Sequence, residues 1–181
     1  MLDEDIIEKV KIALLCLLNN DGTLLRRDLS EQSMTHKLAE YLQPLFVGYN
    51  VDCEYNGNVK AGNGRKRIDV IKNALLHSGL LREKEQGDDN DLIERAVFPD
   101  IIVHVRESIE SNICIIEVKK STSTVGVAYD FIKLSTYTRK VFANDLNYQL
   151  GIFIELATKS DDIGYTMLCF KDGEMVTQSL Q

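Results

Sequence analysis

Two short apolar runs in the middle of the chain, each interrupted by charge, limit its fold more than any other feature. Residues 98–105 read FPDIIVHV and residues 112–119 read NICIIEVK, with the polar segment 106–111 between them. Both runs are short and rich in β-branched residues, which is the pattern of consecutive strands, here a hairpin buried within a sheet. A strand covered on both faces tolerates little charge, because an unpaired buried charge costs several kcal/mol. Yet Asp100, Glu117 and Lys119 stand in or beside these runs. Something in the fold is expected to compensate them.

The flanking sequence supplies the rest of the sheet and its cover. A helix is expected over residues 4–18, where Ile6, Val10, Ala13, Leu14 and Leu17 recur at helical spacing, ended by Asn19-Asn20-Asp21-Gly22. Ser30 is a good N-cap for a second helix over 31–46. Its apolar stripe is Met34, Leu38, Tyr41, Leu42 and Leu45, and Pro44 should stop or kink it. Residues 50–55 alternate as a first strand. A glycine-bearing segment, 56–64, then runs into Arg65, Lys66 and Arg67. Gly57 and Gly62 have the spacing of a phosphate-binding loop, but Asn63-Gly64 stands where that loop needs Lys and Ser or Thr. The segment reads as a surface loop or as a basic arm touching phosphates. Residues 68–81 look moderately helical, and 82–95 look like a charged surface loop with a short helical end. A third helix is expected over 127–142, with Val127, Phe131, Leu134, Val141 and Phe142 on one side. Asp130, Lys133, Tyr137 and Lys140 lie together on another. Residues 149–156 and 165–170 read as closing strands, and Met175-Val176 as an edge strand. This order predicts an α/β fold, a mixed β-sheet flanked by helices.

At 181 residues the chain is expected to form a single domain over 1–181, with 1–27 as N-terminal helix and lead-in and 28–170 as core. The formal charge of −7 counts against a simple electrostatic nucleic-acid binder, although a local basic surface can coexist with an acidic body. Cys16, Cys53, Cys114 and Cys169 lie in apolar patterns without C-x-x-C spacing, and are expected to be reduced core residues of a cytoplasmic protein. There is no apolar run long enough to span a bilayer, and the acidic first residues are unlike a signal peptide.

The chemistry converges on the central runs. Glu117 and Lys119 are two apart on a strand and so share a face. Asp100 begins the preceding strand, and pairing of the two strands would bring its carboxylate near Glu117. Carboxylates that close repel. A divalent cation between them removes the conflict, and oxygen ligands suit Mg²⁺ or Mn²⁺. A lysine beside the metal can hold an attacking water or stabilise charge on a phosphate. These are the parts of metal-assisted phosphodiester hydrolysis. Each residue also has a plainer use. Asp100 can be a turn acid after Pro99, Glu117 and Lys119 a strand-end ion pair worth under about 1 kcal/mol, and Glu31 an acid complementing a helix dipole.

Pro99-Asp100 followed by Glu117-Val118-Lys119 resembles the signature of the PD-(D/E)XK nuclease superfamily. The surroundings resemble it too: Phe-Pro-Asp-Ile-Ile, then Ile-Ile-Glu-Val-Lys-Lys, a helix, and the strand Gly-Ile-Phe-Ile-Glu. Residues 28–55 are similar to the leading half of small uncharacterised bacterial members, and the likeness covers about 28–170. The resemblance implies a restriction-endonuclease-like core and a Mg²⁺- or Mn²⁺-dependent nuclease acting on DNA, endonucleolytically. On it, Asp100 and Glu117 are expected as metal ligands, with Lys119 positioning the nucleophile. Glu31 is expected as a further metal-site acid, with Glu40 as its substitute. Lys120 should project to the opposite face. Lys133 and Tyr137, with Asp130, are expected on the substrate side, and Arg65, Lys66 and Arg67 as nucleic-acid contacts. His36 and His104 could neighbour the site, whereas His77 reads as structural or exposed. A homodimer would supply two centres for cutting a duplex, and a partner protein could supply recognition. The alternative is a catalytically silent nuclease-fold protein that binds nucleic acid or protein.

Overall fold

The computed structural model describes residues 1–55, 67–87, 90–108, 111–140 and 146–176. In chain order the elements are α1 (Asp3–Arg26), α2 (Glu31–Leu42), a 3₁₀ turn (Gln43–Leu45) and β1 (Asn50–Cys53). After these come β2 (Arg67–Ile71), α3 (Lys72–His77), α4 (Glu83–Gln86), β3 (Leu92–Ala96), β4 (Ile101–His104) and β5 (Cys114–Lys120). The chain then gives α5 (Ala128–Thr138), β6 (Leu150–Ala157), β7 (Gly164–Lys171) and β8 (Glu174–Val176). Six strands make one mixed sheet in the order β1-β4-β5-β6-β7-β8, and β2 and β3 pair separately. As expected, β4 and β5 form an antiparallel hairpin inside the large sheet. β6 lies parallel to β5, the return made possible by α5 between them.

Strand periodicity divides β5 between two cores. Cys114, Ile116 and Val118 join Ile6, Leu14, Met34 and Leu38 under α1 and α2. Ile115 joins Ile102, Leu134, Tyr137 and Phe153 on the α5 side. Glu117, one residue from Ile116 and two from Ile115, therefore faces α5. Helices covering both faces explain why these strands read as continuous apolar runs.

Three elements differ from the sequence reading. α1 continues through Asn19-Asn20-Asp21-Gly22 and only kinks, at Asp21 (φ −120°, ψ 17°). Leu25 is fully buried beyond the kink, and the Tyr41 hydroxyl donates to Asp21 Oδ2 at 2.6 Å. A Cβ at Gly22 would lie 2.6 Å from Ile163 Cδ1, so this glycine serves a close approach rather than a stop. Residues 68–71 are strand, not helix: Ile68 and Val70 alternate inward, and β2 pairs antiparallel with β3, which the charged composition had hidden. α5 turns Asp130, Lys133 and Tyr137 inward, whereas the sequence placed them away from the apolar stripe. Val141 and Phe142 lie outside the described residues. Pro44 does end α2, in the 3₁₀ turn.

The four cysteines form no disulfide; Cys114 and Cys169 are buried, Cys16 is half-buried and Cys53 is exposed. Cys53 thus departs from the expected core position, because it ends the edge strand β1. Among the described residues no helix is long and apolar enough to cross a membrane.

Candidate active site

β4 and β5 bring the charged residues of the central hairpin together. Ile101 pairs with Ile116, and continuing that register by one residue sets Asp100 opposite Glu117. Asp100 Oδ2 accepts from the Val118 N–H at 2.7 Å, so the carboxylate is fixed on the backbone of β5. Burial pushes the Asp100 carboxyl above its usual range, with the Val118 N–H and Lys133 opposing.

Glu117 is 1% exposed. Its Oε2 accepts from Lys133 Nζ at 2.6 Å, while its Oε1 is buried without a hydrogen-bond partner among the described residues. Burial raises the Glu117 carboxyl to about 8, Lys133 opposing and Asp100 adding to the rise. Lys133 comes from α5 and also lies 2.9 Å from Asp130 Oδ1, with its ammonium 5.6 Å from the centre of the Tyr129 ring. Burial disfavours that ammonium, but the two carboxylates outweigh it and hold the Lys133 pKa above normal.

Lys119 shares the face of Glu117. Its Nζ is 3.2 Å from Asp130 Oδ2 and 3.9 Å from Glu31 Oε1. Glu31 begins α2 because Ser30 caps the helix, accepting from the Ser33 N–H at 3.1 Å. From that position Glu31 Oε2 accepts from the Lys120 N–H at 2.9 Å, which ties α2 to the end of β5. Glu31 and Asp100 line one cavity of about 770 Å³, together with Gln32 and Glu54. Lys120 points to the other face as expected; its Nζ meets Asp28 Oδ1 at 2.9 Å and the Leu29 carbonyl at 3.1 Å.

Two expected nucleic-acid contacts do not face solvent. Tyr137 is fully buried, its ring 6.1 Å from that of Tyr148, and its hydroxyl has no hydrogen-bond partner among the described residues. Lys133 is 8% exposed and committed to Glu117 and Asp130. Both are corrected to interior positions: Glu117 draws Lys133 inward, and Tyr137 packs with Leu134, Tyr148 and Phe153 in the apolar core on this face of the sheet. Arg67 is exposed and pairs with Glu94 across β2 and β3; Arg65 and Lys66 lie outside the described residues. Glu40 pairs with Lys37 at 2.7 Å and with His36 at 3.0 Å on the surface, so it does not replace Glu31. His104 meets Asp52 Oδ2 at 2.9 Å on the β1–β4 edge, and His77 is exposed. The partnership of Asp130 and Lys133 with Glu117 was missed as a unit; its signal was an acid and a base one turn apart on the helix after the Glu-x-Lys strand.

Among the described residues no three His, Cys, Asp or Glu side chains gather into a set able to hold a metal ion. Glu31 accordingly joins the site through Lys119 and the shared cavity rather than as a third close carboxylate. The donors at the centre still suit a hard cation. Mg²⁺ commonly takes one or two protein carboxylates and fills its shell with water and phosphate oxygens. Asp100 and Glu117 are two carboxylates of this kind, and Glu117 Oε1 is a buried oxygen with no hydrogen-bond partner among the described residues, an exception that calls for an ion, a proton or a chemical role. Comparison of the chain with family models, with curated proteins and with solved structures finds no match.

Proposed function

We propose that the chain is a metal-dependent nuclease that hydrolyses DNA phosphodiester bonds at the centre formed by Asp100, Glu117 and Lys119. The observation that carries this reading is the buried Oε1 of Glu117, without a partner among the described residues, on a residue set opposite a second carboxylate, Asp100, by the β4–β5 register. An isolated buried carboxylate oxygen is costly, and such exceptions call for an ion or a chemical role. The mixed sheet, with β4 antiparallel to β5 and β6 parallel to it after a helix, supports a restriction-endonuclease-like core.

In this reading Asp100 and Glu117 hold Mg²⁺ or Mn²⁺, which when bound supplies Lewis acidity and a more acidic water. Asp100 is kept in place by the Val118 N–H, and Glu117 by Lys133. Lys119, between Asp130 and Glu31, presents an ammonium to a phosphate oxygen or to the attacking water. Glu31 stands on the cavity side and can accept a proton or orient water there. Cleavage of duplex DNA in Mg²⁺ tests the reading. Asp100→Ala should abolish it while the circular dichroism spectrum stays that of the wild type. Cleavage that survives this substitution refutes it.

One observation favours a second reading, a silent nuclease-fold binding module: Lys133 and Lys119 already compensate part of the carboxylate charge from within. In that case the metal-free protein would take up no Mn²⁺.

A further inference from the structure

The arrangement around Glu117 says more about how many cations the site takes. Glu117 presents two oxygens to two different environments. Oε2 lies against the Lys133 ammonium, and Oε1 has no hydrogen-bond partner among the described residues. Lys133 in turn bridges Glu117 on β5 and Asp130 on α5, at 2.6 and 2.9 Å, in a position 8% exposed. A buried cation spanning carboxylates from two elements is the role a metal ion plays in sites with a pair of metals. Here the cation between the two carboxylates is a side chain, and its position over the Tyr129 ring adds to its hold.

The charge balance agrees. Glu31, Asp100, Glu117 and Asp130 bring four carboxylates, and Lys119 and Lys133 bring two ammonium groups. Lys120 is spent on Asp28 at the other face. The ionised cluster therefore carries a surplus of two negative charges, which a single divalent cation neutralises. Without Lys133 the surplus would be three.

Resting on the proposed metal-dependent function, we propose that the site takes a single divalent cation, and that the Lys133 ammonium permanently fills the place of a second. Oε1 of Glu117, with Asp100, serves the exchangeable cation, and Oε2, with Asp130, serves the built-in one. Lys133 is thus a positioning residue: it orients Glu117 and caps the number of metals, without touching substrate.

Titration of Mn²⁺ into chelator-treated protein, followed by calorimetry and by the electron paramagnetic resonance signal of free Mn²⁺, tests this. The wild type should bind a single Mn²⁺. Lys133→Met, which keeps the length of the side chain and removes its charge, should bind a second. The double substitution Lys133→Met with Asp130→Asn restores the charge surplus of the wild type and should return to a single Mn²⁺. A wild type that binds two ions overturns the proposal, as does a Lys133→Met protein that binds one ion with wild-type affinity. Should Lys133→Met fail to fold, the wild-type and double-substitution stoichiometries decide: a second ion in either overturns it. Absence of any Mn²⁺ binding by the wild type would remove the metal-dependent function itself, so the two failures are distinguishable.

Discussion

Glu117 and Lys133 form a buried pair whose members are worth more together than either is apart. Taking one partner away from such a pair leaves an uncompensated interior charge, commonly at a cost of about 3–5 kcal/mol. Asp100 and the raised Glu117 carboxyl soften this, since Glu117 can take up a proton. Lys133→Met in metal-free protein should therefore lose about 2–4 kcal/mol in urea denaturation at neutral pH; unchanged stability would show that the pair is not compensating anything. Glu31 separates structure from chemistry in a different way. Glu31→Ala removes the acceptor of the Lys120 N–H and should cost about 1 kcal/mol. Glu31→Gln keeps an acceptor oxygen and should keep most of the stability, while Mg²⁺-dependent cleavage slows in both. Equal cleavage by Glu31→Gln and wild type would reduce Glu31 to a structural tie. At this scale Asp100, Glu117 and Lys119 were legible in the sequence, because charge inside apolar strands is conspicuous. Asp130 and Lys133 were not, because polar residues at helical spacing read as an outward face. Only their partners on β5 reverse that reading, Lys119 for Asp130 and Glu117 for Lys133, and β5 meets α5 through tertiary packing.

The elements around the site are held by ties that differ in kind. Arg95 on β3 is buried, with Nη2 2.6 Å from Glu85 Oε2 and 2.8 Å from the Leu80 carbonyl. It fastens α4 to the small β2–β3 sheet, and its guanidinium stands 5.4 Å from the centre of the Tyr129 ring. Arg95→Ala should speed amide hydrogen exchange in β2, β3 and α4, while the β5–β6 amides keep their protection. Uniform acceleration across both sheets would contradict this local role. The junction between α1 and α2 depends on Asp28, which accepts from Lys120 Nζ and from the Thr122 hydroxyl at 2.8 Å. Lys120 and then Thr122 hold the Asp28 carboxyl at about 2, against an ordinary 3.8. A depressed carboxyl contributes stability above its unfolded value and loses it as pH falls through the folded one. The stability difference between wild type and Asp28→Asn should therefore be constant above about pH 5, shrink as pH falls through the folded value, and vanish towards about pH 1. A difference undiminished at about pH 2 would assign it to something other than this charge. The hairpin, the closing strands and the capped start of α2 were legible from periodicity and Ser30. β2 and β3 were not, since Ile68, Ile71 and Leu75 satisfy a helical period as well, and the strand pairing that decides between them is nonlocal.

At the scale of the molecule, one sheet separates two apolar cores, and the site draws on both sides of it. Glu31 arrives from α2 on one face, Asp130 and Lys133 from α5 on the other, and Asp100, Glu117 and Lys119 come from the strands between. Neither helix could supply the cluster alone, which is why its make-up could be read only in part from the chain. The overall charge of −7 sets a further condition. An acidic protein gains little from general attraction to a polyanion, so under the proposed function contact with DNA should depend on the cation and on Lys119. The account's central claim is that Asp100 and Glu117 share a divalent cation. Calorimetric titration of Mn²⁺ into metal-free wild type, Asp100→Asn and Glu117→Gln tests it most directly, since both substitutions keep shape and remove charge. The account predicts binding to the wild type and at least a tenfold loss, about 1.4 kcal/mol, in each variant. Wild-type affinity in both folded variants would contradict it.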